Sequence, residues 1–529
     1  MPKRPTRIAI VGGGPTAVYL LKNLLQKADL FHITIFEAGP VAGCGIPYSE
    51  QHNSAEMMAN ITSIEIPPVL TSLSDWLRSA DSRLLRRFDI VRDAIGDRDF
   101  YPRILIGAYY ADQLSQLVAA GEKAGHTVSV ETDTRVLDIK PDSAGFTLFI
   151  AKNDVKTRHR VDSVIMATGH LTDFEKPTRT GGLYRSPYPT EDLEVGADRA
   201  ALILGSSLSA IDTVVALASR YGKFTGEASS LGYETTSSKR LRLVMASRKG
   251  IVPDADFYYP IPEEPLLIFT PARLEALQKA GKTGFLSKAM KLFKRQLASD
   301  DPDFFAQLNL TRFTPQGFSK AYFTLRKARH GFGSIAENLA QSKKNYRDRR
   351  TVMRRYTLMR AHEVFSEIVP FFDRSDLLTF KRYLTPVFAD AYGCVPHLSI
   401  ERLLALHRAG CLDILALGET ASISYGSGLF RLEGLCKEQT FETLIDARGQ
   451  DPASISDLGF KRLDQALADG DIFRRTDSQN DDDQFRIPLA ERMSPDIFCV
   501  SIPIMMKRYP FAQGLVACSD AAKLVAEAL

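Results

Sequence analysis

Residues 7 to 37 limit the fold more than any other stretch. Arg7 to Val11 is a short apolar strand, residues 12 to 14 are successive glycines, and Pro15-Thr16-Ala17 leads into helical spacing from Val18 to Gln26. Phe31 to Phe36 is a β-branched and aromatic strand that ends at Glu37. Together they read as one βαβ unit, and Gly12-x-Gly14-x-x-Ala17 fits the G-x-G-x-x-G/A fingerprint. The first glycine permits the tight turn, the second lets the main chain approach a pyrophosphate, and Ala17 allows close helix–strand packing. Phosphates then sit on the helix N-terminus, where free N–H groups and the dipole favour anions. Glu37 lies 20 residues after Ala17, where a carboxylate accepts hydrogen bonds from ribose hydroxyls. A glycine-rich turn without a ligand is the competing reading. The agreement of strand, spacing, helix and terminal acid favours a dinucleotide.

Two later stretches repeat parts of this pattern. Val161 to Ala167 (VDSVIMA) is an apolar strand running into Thr168-Gly169, as expected of a strand that returns the chain to a cofactor. A plain strand and turn would read the same way. From Ala200, ALILG is followed by Ser206, Ser207 and a helix from Leu208 to Arg220. Gly205-x-Ser207-x-x-Ala210 is a degraded fingerprint, with serine at the middle glycine; its hydroxyl can bond phosphate. The next strand, Leu241 to Ala246, ends in Ser247-Arg248-Lys249 and not in an acid. A basic end suits a 2′-phosphate and favours NADPH over NADH. The gap from Gly205 to Arg248 is longer than a compact unit needs, and the Gly/Ser/Thr-rich residues 222–239, read as a loop, absorb the excess. A second unit retained for structure alone is the alternative.

The rest of the chain reads in blocks. Residues 53–125 look mostly helical, broken at Pro67-Pro68, and Thr127 to Asp138 and Phe146 to Ala151 read as short strands. Residues 265–410 carry dense helix formers without strand alternation. Short strands return at Leu412 to Ala416, Ser422 to Ser424, Thr440 to Asp446 and Asp496 to Val500, and a helix follows Gly514. No internal repeat of 20 to 50 residues is visible. With 529 residues, 44% apolar and 25% charged, the chain has ordinary globular composition, which excludes disordered, collagen-like and disulfide-dense classes. A net charge of +4 is too dilute to imply nucleic acid. No run reaches the ~18 to 20 apolar residues of a membrane span. Lys3, Arg4 and Arg7 before an apolar patch imitate an export signal, but the glycines interrupt the apolar core and no cleavage site follows. A cytoplasmic protein is expected. The six cysteines form no C-x-x-C pair and the nine histidines show no metal-ligand spacing, so free thiols and no metal are expected.

Two dinucleotide units, the second inserted into the first, with an ATG strand and a terminal glycine-helix, resemble the two-dinucleotide-binding-domain flavoproteins. More narrowly, the chain resembles the YdhS-like family of bacterial FAD/NAD(P)-binding oxidoreductases. The resemblance is carried by MMANITSIEIPP (57–68), DRDFYPRILIGAYY (97–110), GIVPDADFYYPIPEEPL (250–266), RYTLMRAHEVFSEIVP (355–370), ILALGE (414–419), IDARGQ (445–450) and PFAQGLVAC (510–518). It implies an α/β fold: an FAD-binding Rossmann-like domain with an inserted NAD(P)-binding Rossmann-like domain and a large helical module. The expected divisions are 1–195 for the first part of the FAD domain and 196–264 for the NAD(P) domain. Residues 265–410 form a helical substrate or lid module, and 411–529 return to the two nucleotide domains. Gly12, Gly14, Thr16 and Glu37, with Pro15, Ala17 and Gly45, are implied to hold FAD. Val136 would meet adenine through its main chain, Asn60 and Arg103 would lie towards the flavin, and Thr168 and Gly169 would line the cofactor. Gly449 would close a second such strand, and Gly514 would put a helix N-terminus near the flavin. Gly205, Ser206, Ser207 and Arg248 would hold NADPH. One departure stands out: the family's Gly-Asp before the terminal helix is absent, and SIPIMMKRYPF follows FCV.

The missing C-x-x-C argues against a disulfide relay. An NADPH-reduced flavin that uses oxygen to hydroxylate a small polar substrate, by analogy an amino or carboxylate compound, is the expected chemistry. An oxygen-independent flavin dehydrogenase and a non-catalytic flavin-binding protein are the alternatives. Candidate catalytic residues are Asn60, Asp256 and Arg508. Asp254, His170 and Lys507 are further candidates, each with a structural role as the alternative. Cys44, between two glycines, reads as a packing residue. The basic run from Lys343 to Arg355 reads either as a site for an anion or as a solvated face.

Overall fold

The protein is described by a computed structural model over residues 4–170, 179–195, 200–226, 230–236, 241–279, 281, 284–435, 437–449, 451–467, 485–489, 496–507, 509–512 and 514–529. It forms two compact units. One comprises Met1–Ala55, Ile61–Asp173 and Gln450–Leu529, the other Glu56–Asn60 and Phe174–Gly449.

The first unit opens with β1 (Thr6–Val11), α1 (Pro15–Leu24) and β2 (Phe31–Phe36). It continues through α2 (Gly45–Tyr48), α3 (Leu73–Ser79), α4 (Ser82–Arg87) and α5 (Arg103–Lys123) to β3 (Thr127–Glu131). The region read as mostly helical is thus helical in pieces, joined by 3-10 turns. A three-stranded antiparallel meander follows, β4 (Thr134–Asp142), β5 (Gly145–Lys152) and β6 (Val155–Val161), and then β7 (Ser163–Met166). Residues Ser163 to Met166 are buried throughout, as a parallel strand covered on both faces must be. Strand β6 was not foreseen: its sequence VKTRHRV lies at the meander's edge, mostly exposed, and has no apolar alternation.

The second unit takes up β8 (Arg179–Thr180), β9 (Leu183–Tyr184), β10 (Ala200–Leu204) and α6 (Leu208–Tyr221). Where a loop was expected, β11 (Gly222–Thr225) and β12 (Gly232–Thr235) form an antiparallel hairpin. Its Leu231 and Tyr233 join the apolar core, and the Tyr233 hydroxyl donates to the Ala218 carbonyl at 2.9 Å. Then come β13 (Arg242–Ser247) and the helical block: α7 (Pro271–Lys279), α8 (Phe285–Asp300), α9 (Pro302–Gln307), α10 (Pro315–Lys327), α11 (Gly331–Arg347), α12 (Met353–Ile368), α13 (Arg374–Thr379), α14 (Thr385–Tyr392) and α15 (His397–Arg408). Phe269, Phe293, Phe318, Phe365 and Phe388 pack ring on ring at its centre. The unit closes with β14 (Leu412–Ala416), a meander β15 (Ser422–Gly426), β16 (Leu429–Glu433), β17 (Gln439–Phe441), and β18 (Thr443–Asp446).

The chain then returns to the first unit with α16 (Lys461–Asp464), β19 (Ile497–Cys499), α17 (Ile502–Met505) and α18 (Gly514–Ala528). The first sheet has the order β19-β7-β1-β2-β3, parallel throughout. The second has the order β14-β13-β10-β18-β9-β8, parallel except for the β8–β9 pair. Each unit follows one plan: strand, helix, strand, helical insertion, strand, meander, strand. The plan repeats over far more than 50 residues, so no short-period search reveals it.

Candidate functional site: two glycine-turn cradles

In the first unit the turn after β1 is held by the main chain of both neighbouring strands. Gly12 donates to the Phe36 carbonyl at 2.9 Å, and Ala167 donates to the Val11 carbonyl at 2.8 Å. Gly12 has φ +105°, and a Cβ there would lie 2.3 Å from the Ala167 carbonyl oxygen. Gly14 caps α1, and a Cβ on it would lie 3.3 Å from the Gly45 Cα. Pro15 is the first helical residue, and the first turn holds no acid. The first turn of α1 therefore adds no carboxylate of its own at the positive end of the helix. Thr16 and Ala17 are buried, and the Thr16 hydroxyl opposes the rise that burial gives the Cys518 thiol on α18.

Glu37 is fixed from two sides. Its Oε2 accepts the Gly13 N–H at 2.9 Å and its Oε1 accepts the Gly39 N–H at 2.7 Å. Burial raises its pKa, and these N–H bonds oppose the rise. Each oxygen keeps a further lone pair for a hydroxyl donor. Gly13 was passed over in the motif, yet a Cβ there would lie 2.9 Å from the Glu37 Cβ. The signal was present, because the variable position of the fingerprint is itself glycine.

The loop carrying Gly45 is clamped by α5. A Cβ on Gly43 would lie 2.6 Å from the Ala111 Cα, and one on Gly107 would meet the Tyr48 carbonyl oxygen and the Cys44 Cβ. Arg103 opens α5, and its charge opposes the burial that pushes the Tyr48 hydroxyl up to about 12. Burial lifts the Cys44 thiol to about 11, in keeping with a packing residue. Five cysteines are described, and no disulfide joins any two of them.

Thr168 and Gly169 follow β7. The Thr168 hydroxyl lies 2.6 Å from that of Ser501, a fully buried residue just past β19. Ser501 was also missed; it sits in the segment that replaces the expected Gly-Asp. Gly169, Gly449 and Gly514 all have positive φ, and a Cβ on any of them meets nothing within 4 Å. Val136 pairs with Ile150 and precedes a bulge at Leu137. Asn60 is exposed and groups with the second unit.

The second unit builds the same turn. Gly205 donates to the Ala246 carbonyl at 2.8 Å, and Ala447 donates to the Leu204 carbonyl at 2.8 Å. Gly205 has φ +125°, and a Cβ on it would lie 2.7 Å from the Ala447 carbonyl oxygen. Gly205 thus stands to Ala447 as Gly12 stands to Ala167. Ser206 is buried with its hydroxyl 2.8 Å from that of Ser247 and 2.5 Å from the Ile251 carbonyl. Ser247 occupies the place of Glu37. Ser207 caps α6 without a side-chain capping bond, so its exposed hydroxyl stays available beside a helix N-terminus. Arg248 is exposed and forms no ion pair among the described residues.

Other candidates fall elsewhere. The Asp256 carboxylate holds the Tyr346 hydroxyl and accepts from the Cys394 thiol at 3.4 Å. Asp254 pairs with Arg326 at 3.1 Å. Lys507 is exposed and His170 partly buried. Arg508 lies outside the described residues. Among those residues no helix is long and apolar enough to cross a membrane.

Residues 9–171 match the FAD-NAD(P)-binding family and residues 270–392 match the YdhS-like middle domain. Over 529 residues the chain is 35% identical to the uncharacterized protein YdhS of Escherichia coli (strain K12), covering 99% of this chain and 97% of that one. The chain belongs to the YdhS family. The glycine turn at Gly12 therefore lies in the FAD-NAD(P)-binding domain of a YdhS-family protein, and the helices from α7 to α14 make up its middle domain. Among solved structures it is similar to the ornithine hydroxylase PvdA from Pseudomonas aeruginosa, at 13% identity and TM-score 0.53, covering 99% of this chain and 98% of that one. It is also similar to DfoA, a cadaverine monooxygenase bound to FAD, from Erwinia amylovora, at 12% identity and TM-score 0.51, covering 99% and 94%. At such identities the likeness is one of fold.

Proposed function

We propose that this YdhS-family protein is an FAD-dependent oxidoreductase reduced by NADPH, and that it is a monooxygenase of a small polar substrate. The observation that carries the reading is the duplicated turn, Gly12 against the Ala167 carbonyl and Gly205 against the Ala447 carbonyl. In both places a helix N-terminus is brought up to bare main chain, which fits a pyrophosphate. The ends of the second strands differ. Glu37 suits an unmodified ribose, and Ser247-Arg248 suits a ribose bearing a 2′-phosphate. The first unit would thus hold FAD through Gly12, Gly14, Thr16 and Glu37, and the second would hold NADPH through Gly205, Ser207 and Arg248.

When bound, the flavin supplies hydride acceptance and oxygen chemistry. The chain's residues supply position: Glu37 orients the ribose, α1 neutralises phosphate charge, and Thr168 is held by Ser501 at the end of the returning strand. The fold is shared with an ornithine hydroxylase and a cadaverine monooxygenase, which supports oxygenation of an amine-bearing compound. The test is the visible spectrum of the purified protein, followed by anaerobic mixing with NADPH and with NADH. Yellow protein bleached by NADPH is the expected result. A colourless protein that cannot be reconstituted with FAD would overturn the reading. Oxygen uptake stimulated by ornithine, lysine or a diamine separates monooxygenase from dehydrogenase. Arg248→Ala should raise the NADPH concentration required, leaving NADH little changed; equal responses to both would remove the 2′-phosphate assignment.

A further inference from the structure

The middle domain contains arginines that form no ion pair among the described residues. One cavity is lined by Arg326, Arg329, Arg354 and Arg355 together with Asp254 and Asp390. Both carboxylates belong to Arg326. Its Nε and Nη2 donate to the two Asp390 oxygens at 2.7 and 3.1 Å, and its Nη1 lies 3.1 Å from Asp254 Oδ1. The Tyr322 hydroxyl donates to Asp390 at 2.6 Å, and a fourth Arg326 contact goes to the Val252 carbonyl at 3.1 Å. Arg326 is therefore satisfied, and Asp390 is taken up by Arg326 and Tyr322.

The remaining arginines have no ion pair among the described residues. Arg355 is 7% exposed. Its Nη1 donates to the Ala255 carbonyl at 2.9 Å, and its guanidinium lies 4.2 Å from the centre of the Phe257 ring. Its Nη2 is buried with no hydrogen-bond partner. The Arg354 guanidinium rests 5.8 Å from the Phe304 ring, and burial together with the charges of Arg329 and Arg355 lowers its pKa against the opposing charges of Asp301 and Asp254. Asp301 is close, but its oxygens accept main-chain N–H groups, from Phe304 at 2.9 Å and from Arg354 at 3.1 Å. A buried charged donor left unpaired is costly, and like charges gathered around it add to the cost. Planar guanidinium forks match one complement above others, an oxyanion taken in a bidentate way. The cavity measures about 30 Å³, which suits a head group of a few atoms and not a dinucleotide.

We propose that this cavity binds the oxyanion head group of a small molecule, a carboxylate or a phosphate, between Arg329, Arg354 and Arg355. Arg326 forms the fixed wall of the site, already balanced by its own acids. The site lies wholly within the second unit and does not depend on the FAD and NADPH assignments.

The test is thermal unfolding of the full-length protein as purified, titrated separately with sodium phosphate and sodium acetate, with sodium chloride at matched ionic strength as control. A saturable upward shift is expected with at least one of the two anions. The stronger response tells a phosphate head group from a carboxylate. Arg354→Gln and the exposed Arg329→Gln should each weaken the apparent affinity at least tenfold, with flavin content unchanged. No shift beyond the chloride control with either anion would overturn the proposal. So would a shift that persists undiminished in both variants, since the anion would then be bound elsewhere, such as at a helix N-terminus of a nucleotide cradle.

Discussion

Gly12 has no room for a side chain. Its φ of +105° is strained for any L residue, and an added methyl would sit 2.3 Å from the Ala167 oxygen. Gly12→Ala should cost about 1–3 kcal/mol by overpacking and should empty the protein of flavin; absorbance per protein and the unfolding midpoint measure the two effects. Lys249 gives a prediction in pH. Its ammonium lies 3.1 Å from the centre of the Phe323 ring, and burial pulls its pKa from 10.5 down to about 8. Asp390 opposes that shift, and Arg248 and Lys327 add to it. Between those two values the unfolded chain holds the proton and the folded chain has released it, so stability rises with pH across the window. The difference in midpoint between wild type and Lys249→Met should change in the wild type's favour from pH 8 to 10 and stay level below 8. At this scale the sequence was readable wherever the chemistry is local. Gly12 and Glu37 announce themselves by spacing within one βαβ unit. Ser501 does not, because its partner Thr168 lies hundreds of residues away.

The α6 N-terminus shows how an element can be tested apart from its neighbours. Ser207 makes no capping bond, so the first turn of α6 does not depend on its hydroxyl. Ser207→Asp places a carboxylate on a helix N-terminus, which favours the helix itself. The same charge repels a phosphate. NADPH binding is expected to weaken more than tenfold, with an unchanged or higher unfolding midpoint and full flavin content. A fall in the midpoint would show that the serine matters for folding instead. Elements with apolar patterning were legible: β1, β2, β7, β10, β13 and the helices of the middle domain. The hairpin of β11 and β12 was not, because its Gly/Ser/Thr-rich sequence is stabilised by burial of Leu231 and Tyr233 and not by an alternating pattern. The basic run was legible only in part. Lys343 pairs with Glu401, whereas Arg354 and Arg355 turn into a cavity, and charge alone does not distinguish a face from a pocket.

Across the whole molecule, one plan is used twice, and the first copy is split by the second. The expected fold class, an α/β dinucleotide fold with an inserted second copy and a helical module, was readable because each copy opens with a glycine turn. The split gives the last segment structural weight. Helix α18 covers α1, in which residues Pro15 to Leu21 are buried, and β19 pairs with β7. Removing residues 450–529 exposes that apolar helix and leaves an edge of the sheet unpaired. Such a truncation should retain no flavin and should aggregate; sedimentation and absorbance show both outcomes.

The same split sets an order of events on the ribosome. Between Met166 at the end of β7 and Ile497 at the start of β19 lie about 330 residues, tens of seconds of elongation at ~5–20 residues per second. For all that time the nascent first sheet waits with one strand missing, while nearly all of the second unit has emerged behind it. The domain that begins the chain is thus the last to be completed, and the growing polypeptide must be shielded along the β7 edge until its carboxyl end arrives.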